Sequence, residues 1–364
     1  MDLISSFPDV ILQHILFFVP TQLAITTSVL SRRWRRVWSD TPSLSFDDSY
    51  RPLAHAARIN ETLDRYTAPK MTKFHLKTRM YHTVASVADM DRWMEFVMSC
   101  NVDNLSIPLR RFELPHSCMI PSCSVSWTSL KKLSVSNCSL SDETVAKILC
   151  GCPILESLKL DHCPQLRVLD LSKSLGVRTL EIACSRFVSG SMQIVAPHVH
   201  SLRLWHNYQL PCPLVDVSSL TEAKVDVSCH SVREIINGYD LFQFLREMLE
   251  KLQNAEKLTF GCTIIPLLSV AEVRGITFPM LKIKALILET EIFQCVIPII
   301  ERLLQNSPNL KTVTVHANTQ LYGDYPRFKF EELVQTLPHN NTVSIDHCAL
   351  NQAEWHTHHM SGES

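Results

Sequence analysis

The stretch "LESLKLDHC" at residues 155–163 shows the pattern that governs most of the chain. Its residues Leu155, Leu158 and Leu160 follow an L-x-x-L-x-L spacing, and Cys163 comes three residues after the last of them. Eleven stretches fit this spacing when other apolar residues are allowed; they start at residues 71, 102, 130, 155, 166, 177, 199, 220, 255, 283 and 310. So many matches in one direction indicate an internal repeat.

The distances between these starts point to a fold class. Most starts lie 21 to 35 residues apart, and two intervals are only 11 residues. The spacing resembles that of leucine-rich repeats, which implies an α/β solenoid with a ladder of strands and irregular helical arms. The short intervals leave no room for a helix, so either the sheet continues there through tight loops or the match at 166 is spurious.

The segments between the matches contain helix signals. The stretch "SDETVAKILCGCP" at residues 141–153 has Ser141 as an N-cap, an acidic first turn, an apolar stripe and Gly151 as a stop, which predicts an arm helix. Longer helical patterns cover about 231–253 and 291–306, and Pro298 is expected to interrupt the second.

Strand alternation places the residues between the apolar positions on the concave face of the sheet. The candidate substrate-binding residues on that face are Lys159, Asp161, Arg203, Trp205, Lys224 and Asp226. Trp205 is either a recognition anchor or a residue covered by the following loop "NYQLPCP" at residues 207–213. Both interpretations stay open at this point.

The first 48 residues have a different, helical pattern. "FPDVILQHILFFVP" at residues 7–20 predicts a helix that ends at Pro20. A second pattern begins at about Thr21, and one stripe of it is predicted to contain Leu23, Thr27, Leu30, Trp34 and Trp38. A module of this size buries little surface, so it needs support from a neighbour or a partner.

Four arginines at positions 32, 33, 35 and 36 raise the question of nucleic-acid binding. Five aspartates within residues 1–48 outweigh them, since 4 − 5 gives a local charge of −1, and the net charge of the whole chain is also −1. Nothing in this balance recruits polyanions, so the arginines are interpreted as a solvated face. The sequence predicts no nucleic-acid partner.

Residues 1–48 resemble an F-box of the plant type. The resemblance rests on "FPDVILQHILFFVP", on "SVLSRRW" followed by Trp38, and on "LSFDD". Phe7 departs from the usual Leu before the proline, but it is also large and apolar. The resemblance implies docking onto a Skp-type adaptor and, through it, onto a cullin in an SCF-type ubiquitin ligase. The adaptor contacts that it implies are Phe7, Pro8, Ile11, Leu12, Ile15, Leu16, Leu30 and Trp34, some of which could instead form the core of the module.

These patterns give predicted domain limits. Residues 1–48 are the F-box, 49–70 a linker or first arm of the solenoid, 71–346 the repeats and 347–364 a polar tail. The stretch from "FPMLKIKALIL" to "LKTVTV", residues 278–315, resembles the segment that precedes the FBD region of plant F-box/leucine-rich-repeat proteins. No Trp- and Pro-containing continuation of such a region is recognisable downstream.

Composition narrows the classes of function. The 13 cysteines are odd in number and include no C-x-x-C pair, so reduced thiols and a location in cytoplasm or nucleus are expected. The apolar run at residues 10–19 contains Gln13 and His14, and neither a signal peptide nor a membrane span is predicted. The eight glycines form no phosphate-binding spacing, and no cofactor is expected.

Two stretches contain residue types that can form a catalytic or a metal site. The triplet "DHC" at 161–163 places His162 and Cys163 on opposite sides of a strand, which disfavours a cysteine nucleophile. The tail histidines lack paired spacing for a metal. The sequence therefore predicts a non-catalytic substrate-recognition subunit. A non-degradative interaction scaffold and a small-molecule-assisted receptor stay open as alternatives.

Overall fold

The computed structural model of the chain describes residues 4–47, 56–79, 87–110, 126–184, 191–207, 212–228, 239–289, 297–316 and 342–346. It forms two compact units, Met1–Val199 and His200–Ser364. The N-terminal helical module and the first repeats lie together in the first unit, because the N-terminal helices pack on the first strand of the sheet. The domain limits given above stay a prediction.

The first unit combines short helices with parallel strands. Its helices are α1 Asp9–Phe17, α2 Thr21–Thr26, α3 Trp34–Val37, α4 Ala56–Asp64, α5 Val87–Ser99 and α6 Asp142–Gly151. Its strands are β1 Ser43–Asp47, β2 Lys73–Arg79, β3 Asn104–Arg110, β4 Lys132–Ser136, β5 Ser157–Asp161, β6 Val168–Asp170, β7 Thr179–Ala183 and β8 Gln193–Val195. Strands β1, β2, β3, β4, β5 and β7 form a parallel sheet in that order.

The repeat pattern becomes the core of this sheet. In register across β4, β5 and β7, Leu133 lies beside Leu158, which lies beside Leu180, and all three are at most 3% exposed. The residues between these positions face the other way, as alternation requires. The α/β class and the leucine-rich-repeat architecture predicted from the spacing are confirmed.

The match at residue 166 has its own place. Its residues form β6, which pairs in parallel with β8 in a separate sheet rather than with β5 or β7. The two 11-residue intervals therefore contain a strand of a second sheet, with Leu169 fully buried between the two layers of the repeat. Both sequence-based expectations for the match at 166 were wrong. The first sheet does not continue through it, and the match is a real strand rather than a spurious one.

The predicted arm helix is α6, with the predicted cap. The Ser141 hydroxyl oxygen accepts a hydrogen bond from the Thr144 backbone N–H at 3.2 Å, and Val145, Ile148 and Leu149 are buried. Such a cap satisfies one of the free N–H groups at the start of the helix. Asp142 in the first turn also accepts bonds from the backbone N–H groups of Arg167 and Val168, at 2.7 and 3.1 Å.

The second unit repeats the design. Its strands are β9 Ser201–Asn207, β10 Leu214–Asp216, β11 Glu222–Ser228, β12 Lys257–Phe260, β13 Ala285–Leu288, β14 Thr312–His316 and β15 Thr342–Asp346. Its helices are α7 Tyr239–Leu252, α8 Ile264–Val273 and α9 Ile297–Gln305. The strands β9, β11, β12, β13, β14 and β15 are parallel neighbours in that order. The L-x-x-L-x-L spacing does not predict β15, because the sequence at "TVSID" lacks the first apolar residue of that pattern.

Helix α9 is described from Ile297 to Gln305, with Pro298 near the start of its described part. Residues 290–296, the first part of the predicted helical pattern, lie outside the described residues. The interruption at Pro298 therefore stays a prediction.

A close contact fixes the connection between β12 and α8. The Asp226 carboxylate fills the space beside Gly261, and a Cβ atom at position 261 would lie 2.0 Å from the Asp226 Cγ. The same carboxylate accepts bonds from the Thr263 hydroxyl at 2.7 Å and the Thr263 N–H at 3.4 Å, directly before α8. A glycine is therefore required here by space.

We expect Gly261→Ala to lower the free energy of unfolding by about 1–3 kcal/mol, since the added methyl overlaps the carboxylate. Urea denaturation of the single variants and of Gly261→Ala with Asp226→Ala measures this. The double variant should lose less stability than the sum of the two single variants. Additive losses would show that the two side chains do not compete for this space.

Candidate functional site

Helix α1 divides its apolar residues between two sides. Leu12 and Leu16 are 0% and 4% exposed, and they pack with Ala24, Trp34, Val37 and Trp38 in a small core of the N-terminal helices. For Leu12, Leu16 and Trp34 this corrects the predicted adaptor contact, because side chains so deeply buried offer a partner no surface. They hold the module together instead.

The opposite side of α1 is apolar and open. Phe7, Ile11, Ile15 and Phe18 follow one another at intervals of four, four and three residues and are 43%, 45%, 44% and 72% exposed. We call these four residues the outer stripe. The spacing keeps Ile11, Ile15 and Phe18 on one face of the helix, and Phe7 precedes the helix next to the extended residue Pro8. A soluble chain rarely leaves such a stripe in water without a partner for it.

Further exposed apolar residues occur in the same module. Of the 15 large apolar side chains that are exposed in the described part of the chain, nine lie between residues 4 and 30. Besides the outer stripe they are Ile4, Val10, Leu23, Val29 and Leu30. Pro8, also predicted as a contact, is exposed between Phe7 and the first residue of α1. Phe7, Pro8, Ile11, Ile15 and Leu30 stay predicted adaptor contacts.

The predicted second stripe is interrupted. Helix α2 ends at Thr26, a 3₁₀ turn covers Thr27–Val29, and α3 begins only at Trp34. Because the chain changes direction there, Leu23 and Leu30 are exposed whereas Trp34 and Trp38 are buried. The single continuous stripe from Leu23 to Trp38 was therefore a wrong prediction.

Arg33 connects the two ends of this module. Its guanidinium donates to the Asp9 carboxylate at 2.6 Å and to the Phe7 carbonyl oxygen. The pair holds the chain before α1 against the residues before α3. Arg32, Arg35 and Arg36 are exposed, so the arginine-rich stretch is a solvated face with one structural member, as its local charge balance indicated.

In the first unit, both predicted substrate-binding residues have intramolecular partners. The Lys159 ammonium, 42% exposed, pairs with the Glu181 carboxylate on the neighbouring strand. Asp161 is 8% exposed, and its carboxylate contacts the His162 ring. Lys159 is partly exposed, as expected for the open face, whereas Asp161 is buried and is followed by His162 at φ 54°.

In the second unit, strand register brings the predicted residues together. Arg203 lies beside Lys224, and Trp205 lies beside Asp226. Lys224 pairs with Glu289 at 2.7 Å, and Arg203 is exposed. Trp205 is partly buried, and most of the loop that could cover it lies outside the described residues, so both interpretations of it stay open.

The Asp226 side chain has structural contacts within the chain. Its carboxylate bonds to Thr263 and to the Val227 N–H at 2.8 Å. Burial raises the pKa of this carboxyl above its usual value, although the bonds from Thr263 and Val227 act in the opposite direction. For Asp161, which is buried, we correct the prediction of a substrate contact; for Asp226, which is partly exposed, it stays a prediction.

The "DHC" triplet has the geometry of a turn. The Cys163 thiol donates to the Asp161 carbonyl oxygen at 3.8 Å, and burial raises the pKa of the thiol to about 12. A thiol with that pKa is almost wholly protonated at neutral pH and is a poor nucleophile. Cys138 and Cys163 are 2% and 8% exposed, so both side chains fill the interior of the repeat.

Two absences concern the described residues alone. Among them, no group of three or more His, Cys, Asp or Glu side chains could hold a metal ion. None of their helices is both long enough and apolar enough to cross a membrane. The tail histidines lie outside the described residues.

Comparison with known proteins supports both the N-terminal helical module and the repeats. Residues 4–46 match the F-box domain, and residues 96–220 match the model described as FBD-associated F-box protein At5g56370, LRR repeats. The chain is 55% identical over 350 residues to the putative F-box/LRR-repeat protein At3g18150 of Arabidopsis thaliana, covering 89% of this chain and 75% of that protein.

The chain belongs to the F-box/LRR-repeat family. A second Arabidopsis relative, F-box/LRR-repeat protein At3g03360, is 48% identical over 353 residues, which are 89% of this chain and 72% of the relative. The resemblance inferred from the N-terminal motif and the repeats is thereby confirmed. The family matches contain no enzyme family.

Sequence reasoning missed part of the F-box/LRR-repeat protein's exposed apolar residues. Ile4, Val10, Phe18, Leu23 and Val29 are all more than half exposed. Phe18 could have been found, since it continues the spacing of Phe7, Ile11 and Ile15. Leu23 and Val29 are exposed because helix α2 ends at Thr26. No turn-forming residue in the sequence indicates that end.

Substitutions at two neighbouring residues of α1 should differ in their effect on stability. We expect Leu12→Ala to lower the free energy of unfolding by about 2–5 kcal/mol, because it leaves a cavity in the small core. Ile11→Ala, at a 45% exposed position, should change it by no more than about 0.5 kcal/mol. Chemical denaturation measures both; a similar cost at the two positions would contradict the division of α1 into two sides.

Proposed function

We propose that this chain is the substrate-recognition subunit of an SCF-type ubiquitin ligase. Its F-box docks on a Skp-type adaptor and thereby on a cullin, and its repeats hold a target protein for ubiquitination. The observation that carries the proposal is the outer stripe, a row of exposed apolar side chains within the residues that match the F-box domain.

Docking on the adaptor would remove this stripe from water. Full burial of a large apolar side chain contributes roughly 1.5–3 kcal/mol. Since the stripe residues are about half exposed, each has roughly half of that left to gain. Several such contacts are needed to offset the lost freedom of two associating proteins, and the nine exposed apolar residues of the module provide them.

The proposed role requires no chemistry from this chain. A target bound to the repeats is held near the ligase that carries activated ubiquitin, which raises the effective concentration of its lysines. The chain acts by positioning, in the cytoplasm or the nucleus, where the ligase machinery and reduced cysteines coexist. The free cysteines of the described residues are compatible with such a compartment.

A non-degradative scaffold is the second candidate. It keeps the adaptor contact and the repeat surface but does not lead to loss of the bound protein. The half-life of a captured partner separates the two functions: a receptor shortens it and a scaffold leaves it unchanged. A small-molecule-assisted receptor would show target capture that depends on an added ligand.

Replacing two outer-stripe residues should abolish adaptor binding. We expect Ile11→Asp with Ile15→Asp to weaken the affinity for a purified Skp-type adaptor at least a hundredfold, because each change removes apolar contact and buries a carboxylate at the interface. Isothermal titration or co-purification measures this.

A matched control uses exposed apolar positions outside the F-box. Val168→Asp with Leu175→Asp replaces side chains that are 38% and 63% exposed in the same unit. These changes should leave adaptor affinity within about twofold, as expected for surface substitutions remote from the contact. Equal binding by all three proteins would reject the outer stripe as the docking surface.

A further inference from the structure

The open face of the first unit's sheet has an uneven distribution of charge. Its first register row runs across six strands and contains no carboxylate; it consists of Ser43, Lys73, Asn104, Lys132, Ser157 and Thr179. Lys73 on β2 and Lys132 on β4 are the two charged members. Among the residues that the structure describes, neither lysine forms an ion pair.

The second and third rows contain charges that are already matched. Lys77 pairs with Asp47 at 3.1 Å, and Lys159 pairs with Glu181. In the second pair the lysine is more exposed than its carboxylate, 42% against 20%. Asp103, at the edge beside the first row, is held by Lys70 at 3.6 Å. The unmatched charge of the first row is therefore positive, whereas the third row also contains the Asp161 carboxylate, which contacts the His162 ring.

Hydroxyl groups surround these lysines. Ser106 and Ser134 occupy the second row on β3 and β4, between His75 on β2 and Lys159 on β5. Hydroxyls, Asn side chains and ammonium groups all donate hydrogen bonds to anionic oxygens. Burial and the nearby charges of Lys73 and Lys77 lower the pKa of His75, against an opposing effect of Asp47, so this imidazole is biased toward its neutral form.

The first row of the second unit's sheet lacks this excess, whereas its second row contains the exposed Arg203. Its first row contains Glu222 beside Lys257, and the two side chains pair at 2.7 Å. Lys224 in the second row is likewise matched by Glu289. The contrast within one chain shows that the repeat itself does not require unmatched lysines in the first row.

We propose that the open face of the first unit's sheet binds an extended anionic peptide segment, with Lys73 and Lys132 as its charge contacts. This target class rests on the proposed function, in which the repeats hold a protein. Adjacent strands lie about 4.8 Å apart, so the two lysines, two strands apart, are separated by roughly 10 Å. Side chains on one face of an extended peptide recur every two residues, about 7 Å, so anionic groups at positions i and i+2 come within reach of both flexible lysine side chains.

The test uses the full chain and four labelled probes, three ten-residue peptides and one single-stranded ten-nucleotide RNA. One peptide alternates Glu and Ser and one alternates phosphoserine and Gly, so both are anionic. The third peptide alternates Lys and Ser and is basic. Fluorescence anisotropy should show binding of the anionic peptides only, and the stronger of the two identifies carboxylate or phosphate as the preferred group. Equal binding of the basic peptide, or tighter binding of the RNA through the same lysines, would overturn the proposal.

The variant Lys73→Ala with Lys132→Ala should weaken anionic-peptide binding roughly five- to tenfold. The control Lys282→Ala with Lys311→Ala removes the same charge from two exposed positions of the second unit and should leave binding unchanged. Equal losses in both variants would mean non-specific attraction and would reject the site.

A spectroscopic reading locates the peptide. A bound anion favours the protonated imidazole, so the pKa of His75 followed by NMR should rise on peptide addition, with His75→Gln identifying the signal. An unchanged His75 titration in the presence of bound peptide would place the peptide elsewhere. Adaptor binding by the lysine variant should equal that of the unaltered chain, which keeps failure of this site distinct from failure of the proposed function.

Discussion

Alternation of side chains in parallel strands is the constraint on which the repeat region depends. Each strand must direct its Leu, Val or Ile residues to one side of the sheet. A register slip of one residue would expose all of these side chains to solvent. Leu133, Leu158 and Leu180 show this in one buried row. Once the inner positions are fixed, the positions between them are free to vary, and they decide the chemistry of the open face. Stability and recognition therefore use alternate residues of the same strands.

The F-box makes a similar division with helical spacing. In α1 the inner residues Leu12 and Leu16 hold a core of only six buried side chains, while the outer stripe stays in water. So small a core needs additional support, and β1 provides some: the Ser45 N–H donates to the Thr21 hydroxyl at 2.7 Å. The repeats thus stabilise the module whose other side is left for a partner.

The strong periodic signals in the sequence predicted most of this architecture, and the failures have physical reasons. The repeat spacing located most of the strands, and the cap at Ser141 located a helix, because both depend on local chemistry. The second sheet and the role of Asp226 depend on contacts between distant segments: β6 pairs with β8, and Asp226 reaches Thr263. The sequence also placed Leu12 among the contacts, since apolar spacing alone does not distinguish an inner stripe from an outer one on a helix that is apolar on both sides.

The two proposed interfaces differ in the force that forms them, and this suits two different tasks. Apolar contacts at the outer stripe are little weakened by salt, whereas exposed ammonium groups lose attraction as ionic strength rises. The adaptor contact is therefore suited to permanent assembly. Contacts between exposed charges are individually weak, so a target held by Lys73 and Lys132 exchanges readily unless further contacts add to them. A receptor that must release one modified target before it takes the next benefits from that asymmetry.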